Sequence, residues 1–114
     1  MLVSLYGLKN CDSCKKAMKA FDASGQAVTF IDIRAEADVA SLAPKWLQQV
    51  EAAKLINTRS TTWRQLDESE RAKAESDPAG LLAANPTLVK RPVIERGDDV
   101  FVGWTKDVQA ALGI

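Results

Sequence analysis

Tyr6-Gly7-Leu8-Lys9-Asn10-Cys11-Asp12-Ser13-Cys14-Lys15-Lys16 is the stretch on which the reading of this chain turns. An apolar, strand-like run, Leu2-Val3-Ser4-Leu5-Tyr6, leads into it and breaks at Gly7. Past the break, Cys14, Ala17, Met18 and Phe21 fall at i, i+3, i+4 and i+7, the stripe of an amphipathic helix. Cys11 therefore stands where a helix begins, and Cys14 one turn in, on the apolar face. Unpaired N–H groups and the positive end of the helix dipole favour a thiolate at such a place. Lys9, Lys15 and Lys16 reinforce that field, and Asp12 opposes it in part. The thiolate is the reactive form of cysteine, which makes Cys11 the best nucleophile in the sequence.

Outward from this helix, Ser24-Gly25 supplies a stop, with Gly25 as the residue after the C-cap. Val28 to Ile33 is β-branched and mostly apolar, as a buried parallel strand should be. Strand, helix and strand make a βαβ unit with a right-handed crossover. Next comes a helical stretch with Leu42, Trp46, Leu47 and Val50 on one face, entered at Asp38 or Ser41. Pro44 is tolerable there only if it lies in the first turn. Leu55-Ile56 reads as a helical turn leading into a polar loop, Asn57 to Thr62. Trp63, Leu66 and the charged run Asp67 to Asp77 predict a solvated helix. Asp77-Pro78 caps another, with Leu81 and Leu82 inward and Asn85-Pro86 at its end. The period then changes. Pro92 to Glu95 and Val100 to Val102 flank Arg96-Gly97-Asp98-Asp99, a hairpin signal in which Gly97 takes positive φ. Thr105 is the N-cap candidate of a last helix carrying Val108, Ala111 and Leu112. The expected class is α/β: a single domain over residues 1–114, ordered βαβ, a helical insertion around 36–86, then ββα.

Composition narrows the function. Fifteen basic and fifteen acidic residues cancel, so no global field draws the chain to nucleic acid or a membrane surface. No apolar run approaches the ~18 residues of a transmembrane helix. The start runs straight into a strand without a basic-then-apolar leader, so a cytoplasmic protein is expected. In a reducing compartment, two close cysteines point to redox chemistry or metal binding rather than a permanent bridge. A closed zinc site takes four ligands, and this chain offers two cysteines and no histidine, so no metal is expected. The lack of histidine also removes Cys–His and Ser–His catalysis. Trp46, Trp63 and Trp104 read as core or interface aromatics, and Arg64 as solvated.

A C-x-x-C at the first strand–helix junction, a βαβ unit and a hairpin opened by Pro92 resemble the thioredoxin fold. Gly7-Leu8-Lys9-Asn10-Cys11, Leu55 to Trp63, and Lys90-Arg91-Pro92-Val93 narrow the resemblance. These phrases are similar to the arsenate reductase family of the glutaredoxin-coupled type. That family includes small relatives of unassigned substrate and the Spx/MgsR regulators. The resemblance implies a thioredoxin-like fold with a mixed four-stranded sheet. It implies that Cys11 is the nucleophile, that Pro92 is a cis proline facing the cysteines, and that Arg91 holds an oxyanion. A guanidinium suits that task as a planar, permanently charged donor fork. Asn10 either caps the first helix or orients the anion. Where the arsenate-reducing members carry further arginines, this chain has Asn57 and Gly103; Arg59, two residues along, is the substitute candidate for the first. Cys14 is a second departure, a resolving or redox partner where the family's reductases rely on glutathione.

The resemblance implies a thiol or oxyanion reductase with no bound cofactor and glutathione as cosubstrate. Its donor would be glutathione or a glutaredoxin-type protein, its substrate a small oxyanion or a disulfide, and its state monomeric. The rival is an Spx-like redox-sensing regulator. It would bind the C-terminal domain of the alpha chain of RNA polymerase through a Cys11–Cys14 disulfide switch.

Overall fold

The computed structural model describes residues 2–114. Four strands form one sheet in the order β2-β1-β3-β4. β1 (Val3–Gly7) runs parallel to β2 (Thr29–Asp32) and antiparallel to β3 (Val93–Arg96), which pairs antiparallel with β4 (Asp99–Val102). The sheet is mixed, and the connection from β1 to β2 is α1 (Asp12–Ser24). This is the thioredoxin-like arrangement expected.

Alternation along the strands divides the core in two. Val3, Leu5 and Ile94 turn to one face and meet Cys14, Ala17 and Phe21 of α1 and Leu112 at the chain's end. Tyr6, Val93 and Ile33 turn to the other, where Val39, Ala43, Trp46, Leu81, Leu82 and Leu88 cover them. Those residues come from the helical segment between β2 and β3. It comprises α2 (Val39–Leu47), α3 (Ala52–Leu55), α4 (Thr61–Gln65), α5 (Glu68–Ser76) and α6 (Pro78–Ala84), closed by a 3₁₀ turn at Pro86–Leu88.

Local chemistry sets the ends of these elements. Asp38, Ser60, Asp67 and Asp77 each accept the N–H three residues on, at the N-terminus of α2, α4, α5 and α6 respectively. Thr105 does the same for α7 (Lys106–Ala111). Gly25 ends α1 at φ 75°, and Gly97 turns the β3–β4 hairpin at φ 59°.

Several expectations need correction. β1 does not stop at Tyr6: Gly7 pairs with Asp32, and its carbonyl takes the Ile33 N–H at 2.9 Å. Leu2, outside the strand, is 88% exposed. β2 is shorter than Val28 to Ile33. Pro44 lies six residues into α2, not in its first turn. The amide it lacks would have served the carbonyl of Ala40, an exposed residue that water can reach, so the helix continues. On α7, Ala111 is exposed while Leu112 is buried, because residues four apart, Val108 and Leu112, share the inner face.

Candidate active site at the head of α1

Cys11 is the N-cap of α1, in extended conformation (φ −90°, ψ 122°), with its N–H donating to the Leu8 carbonyl at 3.2 Å. Asn10 therefore does not cap the helix; it is exposed in the loop before it. The Cys11 thiol is half-buried and makes no capping hydrogen bond within normal limits. Its neighbours act on its charge instead. Burial alone would raise its pKa, but the Cys14 N–H, the Cys14 thiol and the Arg91 guanidinium together outweigh burial and lower it.

Cys14 is the opposite case. It is 1% exposed, and burial, with the neighbouring Cys11 sulfur, pushes its pKa up to about 12 despite the Leu8 amide and the Arg91 charge. The two thiols are free, and at neutral pH they are unlike: Cys11 inclined to ionise, Cys14 a proton donor beside it. The strand before them makes room for this. A Cβ on Gly7 would overlap the Cys14 sulfur, so only glycine lets β1 pass so close to α1.

The third component arrives from β3. Arg91 precedes that strand across a cis peptide bond to Pro92, as expected. Its Nη1 donates to the Thr87 carbonyl at 2.8 Å, which fixes the guanidinium from behind. Its Nε is buried and has no hydrogen-bond partner among the described residues. The Pro92 carbonyl accepts the N–H of Gly103 at 2.8 Å, tying the proline loop to the end of β4. Gly103 sits at φ 83°, a conformation an arginine there would adopt only with strain.

Of the residues singled out in the sequence, Cys11, Cys14 and Arg91 come together, with Pro92 joined to Arg91 by the cis bond. Arg59 does not join them: it is exposed in the turn after Asn57, and its guanidinium is not among the groups acting on Cys11. Asn57 shapes that turn, its side-chain oxygen accepting the Arg59 N–H at 3.1 Å.

Sequence reasoning missed a buried carboxylate on the other face of the sheet. Glu95 on β3 is 9% exposed and accepts from the Tyr6 hydroxyl at 2.8 Å and from Trp46 Nε1 at 3.0 Å, with Lys45 Nζ at 3.2 Å. Burial opposes its charge, but these three donors prevail and lower its pKa. Tyr6 and Trp46 meet edge-on, 5.2 Å between ring centres, so the network joins β1, β3 and α2 on the face of the sheet opposite Cys14. Among the described residues no cluster of His, Cys, Asp and Glu could hold a metal ion, and no helix is long and apolar enough to cross a membrane.

The profile of the ArsC family matches residues 6–112. An uncharacterised protein of Haemophilus influenzae is 37% identical, over 97% of this chain and 99% of its own. YusI of Bacillus subtilis, also uncharacterised, is 30% identical over 94% of each. Among solved structures, the YFFB protein superposes with a TM-score of 0.84 at 35% identity, covering 96% of both chains. An arsenate reductase-related protein of Brucella melitensis superposes with a TM-score of 0.75 at 34% identity, covering 100% of this chain and 97% of that one.

Proposed function

The chain belongs to the ArsC family, and on that premise we propose that it is a thiol-dependent reductase whose nucleophile is Cys11. The observation that carries this reading is the placement of the two thiols: Cys11 half-buried at the N-cap of α1, its pKa lowered by the Cys14 N–H, the Cys14 thiol and Arg91, and Cys14 buried a turn in, its pKa raised to about 12. A sulfur favoured as thiolate and half open to solvent is a nucleophile; a buried neighbour that keeps its proton supports the charge and is held back for the second step.

The Cys11 thiolate attacks a sulfur of a mixed disulfide between glutathione and a substrate thiol. A Cys11–glutathione disulfide forms, and the substrate leaves as thiolate and takes up a proton. Either of two second steps closes the cycle. A second glutathione attacks the glutathione sulfur, giving oxidised glutathione and Cys11 thiolate. Alternatively, Cys14 loses its proton and attacks the Cys11 sulfur, releasing glutathione and leaving a Cys11–Cys14 disulfide for glutathione or a glutaredoxin-type donor to reduce. Losing the Cys11 charge on adduct formation removes one of the effects that keep Cys14 protonated. The unpartnered Arg91 Nε supports the binding of an anionic group beside Cys11: a glutathione carboxylate, or an oxyanion such as arsenate. Asn10, exposed beside Cys11, is a further donor within the same loop. No bound cofactor takes part, and the reaction belongs to the cytoplasm, where glutathione is abundant.

Turnover of a glutathionylated peptide with glutathione as donor tests the reading. The Cys11→Ser variant is expected to lose all activity, and unchanged turnover in it would refute the proposal. The Spx-like reading draws support from the C-x-x-C spacing at the head of α1, which puts the two thiols close enough to act on each other's charge. It predicts oxidant-dependent capture of the C-terminal domain of the polymerase alpha chain.

A further inference from the structure

Along α1, lined at its head by Cys14 and by Asp12 next to Cys11, lies a groove of about 550 Å3. Its floor is apolar: Leu8, Met18 and Phe30. Its wall is cationic. Lys15, Lys16 and Lys19 line it from α1, and Lys9 stands at its head. None of the four is in an ion pair among the described residues. The negative groups nearby are few: Asp12 on the groove wall, and the Asp32 carboxylate, which feels Lys9 but is occupied by the Arg34 and Ala35 amides at 2.8 and 2.9 Å.

The groove also runs along an open sheet edge. β2 is an edge strand, and the Ile33 N–H bonds to Gly7, so residues 29, 31 and 33 face β1 while Phe30 and Asp32 face outward. Asp32 is satisfied there: its N–H meets the Glu36 carboxylate and its carbonyl takes the Glu36 and Ala37 amides. Phe30 has no such cover. The opposite edge is treated differently. On β4, the Gln49 side chain accepts the Val100 N–H at 3.0 Å and donates to the Asp98 carbonyl, filling that edge as a short strand would.

The geometry points to this groove as the docking site of an extended, acidic polypeptide segment, which presents its sulfur to Cys11; the inference thus rests on the reductase reading and names its substrate class. An apolar side chain fills the floor, and main-chain groups pair with Phe30 in the manner of an added strand. The spacing fits acidic residues at alternate positions. Lys15 and Lys19 are one helical turn apart, about 6 Å, and side chains on one face of a strand repeat at about 6.6 Å. A second copy of this chain is a poor occupant, because two-fold pairing of β2 edges would set lysine against lysine.

The test separates docking from chemistry. A fluorescent eight-residue peptide with glutamates at alternate positions around a central leucine is titrated against the Cys11→Ser protein, beside a peptide with glutamine for each glutamate. Expected are at least tenfold tighter binding of the acidic peptide, loss of that advantage in Lys15→Glu/Lys19→Glu, weakening with salt, and amide NMR shifts at Phe30 and Met18. Equal affinity for the two peptides, shifts elsewhere on the surface, or preference for a single-stranded oligonucleotide over the acidic peptide would each overturn the docking site. If wild-type turnover depends on Cys11 but these binding results fail, the docking site falls and the reductase stands. If binding succeeds and Cys11 proves dispensable for turnover, the reductase reading falls instead.

Discussion

Removing the Glu95 carboxylate tests how the fold supports the site. Glu95→Ala leaves the Tyr6 hydroxyl and Trp46 Nε1 buried without their acceptor, since they meet Glu95 at 2.8 and 3.0 Å. Each orphaned donor costs about 1–3 kcal/mol, and the side-chain cavity adds to it, so a loss of about 3–5 kcal/mol is expected. Glu95→Gln is milder. Its oxygen can still accept from Trp46 and its NH2 can donate to the Tyr6 oxygen, but the Tyr6 O–H then loses its acceptor, and the charge is lost as well. Lys45 is half-exposed, so its pairing is worth at most about 1 kcal/mol, and replacing charged by neutral hydrogen bonds adds about 1 kcal/mol more. With the orphaned Tyr6 proton at the low end of its cost, since its oxygen is still paired, the total for glutamine is about 2–3 kcal/mol. Equilibrium urea unfolding at pH 7 separates the two variants. Because the folded-state pKa of Glu95 is lowered, its charge stabilises the fold above the ordinary carboxylate pKa, and that stabilisation is lost as pH falls through the folded value. The wild type should thus begin to approach Glu95→Gln as pH falls below the ordinary carboxylate value, and meet it only below the lower, folded-state one. Equal losses for alanine and glutamine, or less than about 1 kcal/mol for alanine, would show that the network does not carry this load.

Other expectations concern the cysteines and the helix ends. Arg91→Gln removes the cation beside Cys11 and should raise the Cys11 pKa, slowing its alkylation at pH values below the midpoint, and an unchanged pH profile would show that Arg91 does not act on the Cys11 charge. Gly7→Ala forces its Cβ against the buried Cys14 sulfur, and should cost about 1–3 kcal/mol in thermal or urea unfolding. Asp77→Ala removes the acceptor of the Gly80 N–H, 3.1 Å away, and should cost about 1 kcal/mol by the same measurement.

What the sequence made legible was local. The Cys14, Ala17, Met18, Phe21 stripe, the caps at Asp77 and Thr105 and the turns at Gly25 and Gly97 are short-range signals, and the structure realises each one. Pro44 misled because the rule against interior prolines assumes a carbonyl that nothing else can satisfy; here that carbonyl belongs to the exposed Ala40. Glu95 was illegible for a different reason. A single charge after Val93-Ile94 reads as the solvent side of a strand, and its partners Tyr6 and Trp46 lie 89 and 49 positions away. No window in the sequence holds all three. Arg91 could be named only through resemblance. Its anchor, the Thr87 carbonyl, is a main-chain group with no residue-type signature.

The rate of Cys11 alkylation against pH, followed by peptide mass mapping in the wild-type protein, tests the central claim most directly. The expected midpoint for Cys11 lies below the ~8.5 of a free thiol, while Cys14 stays unmodified across the same range, its pKa raised to about 12. A Cys11 midpoint at or above that of a free thiol, or faster modification of Cys14 than of Cys11, would contradict it.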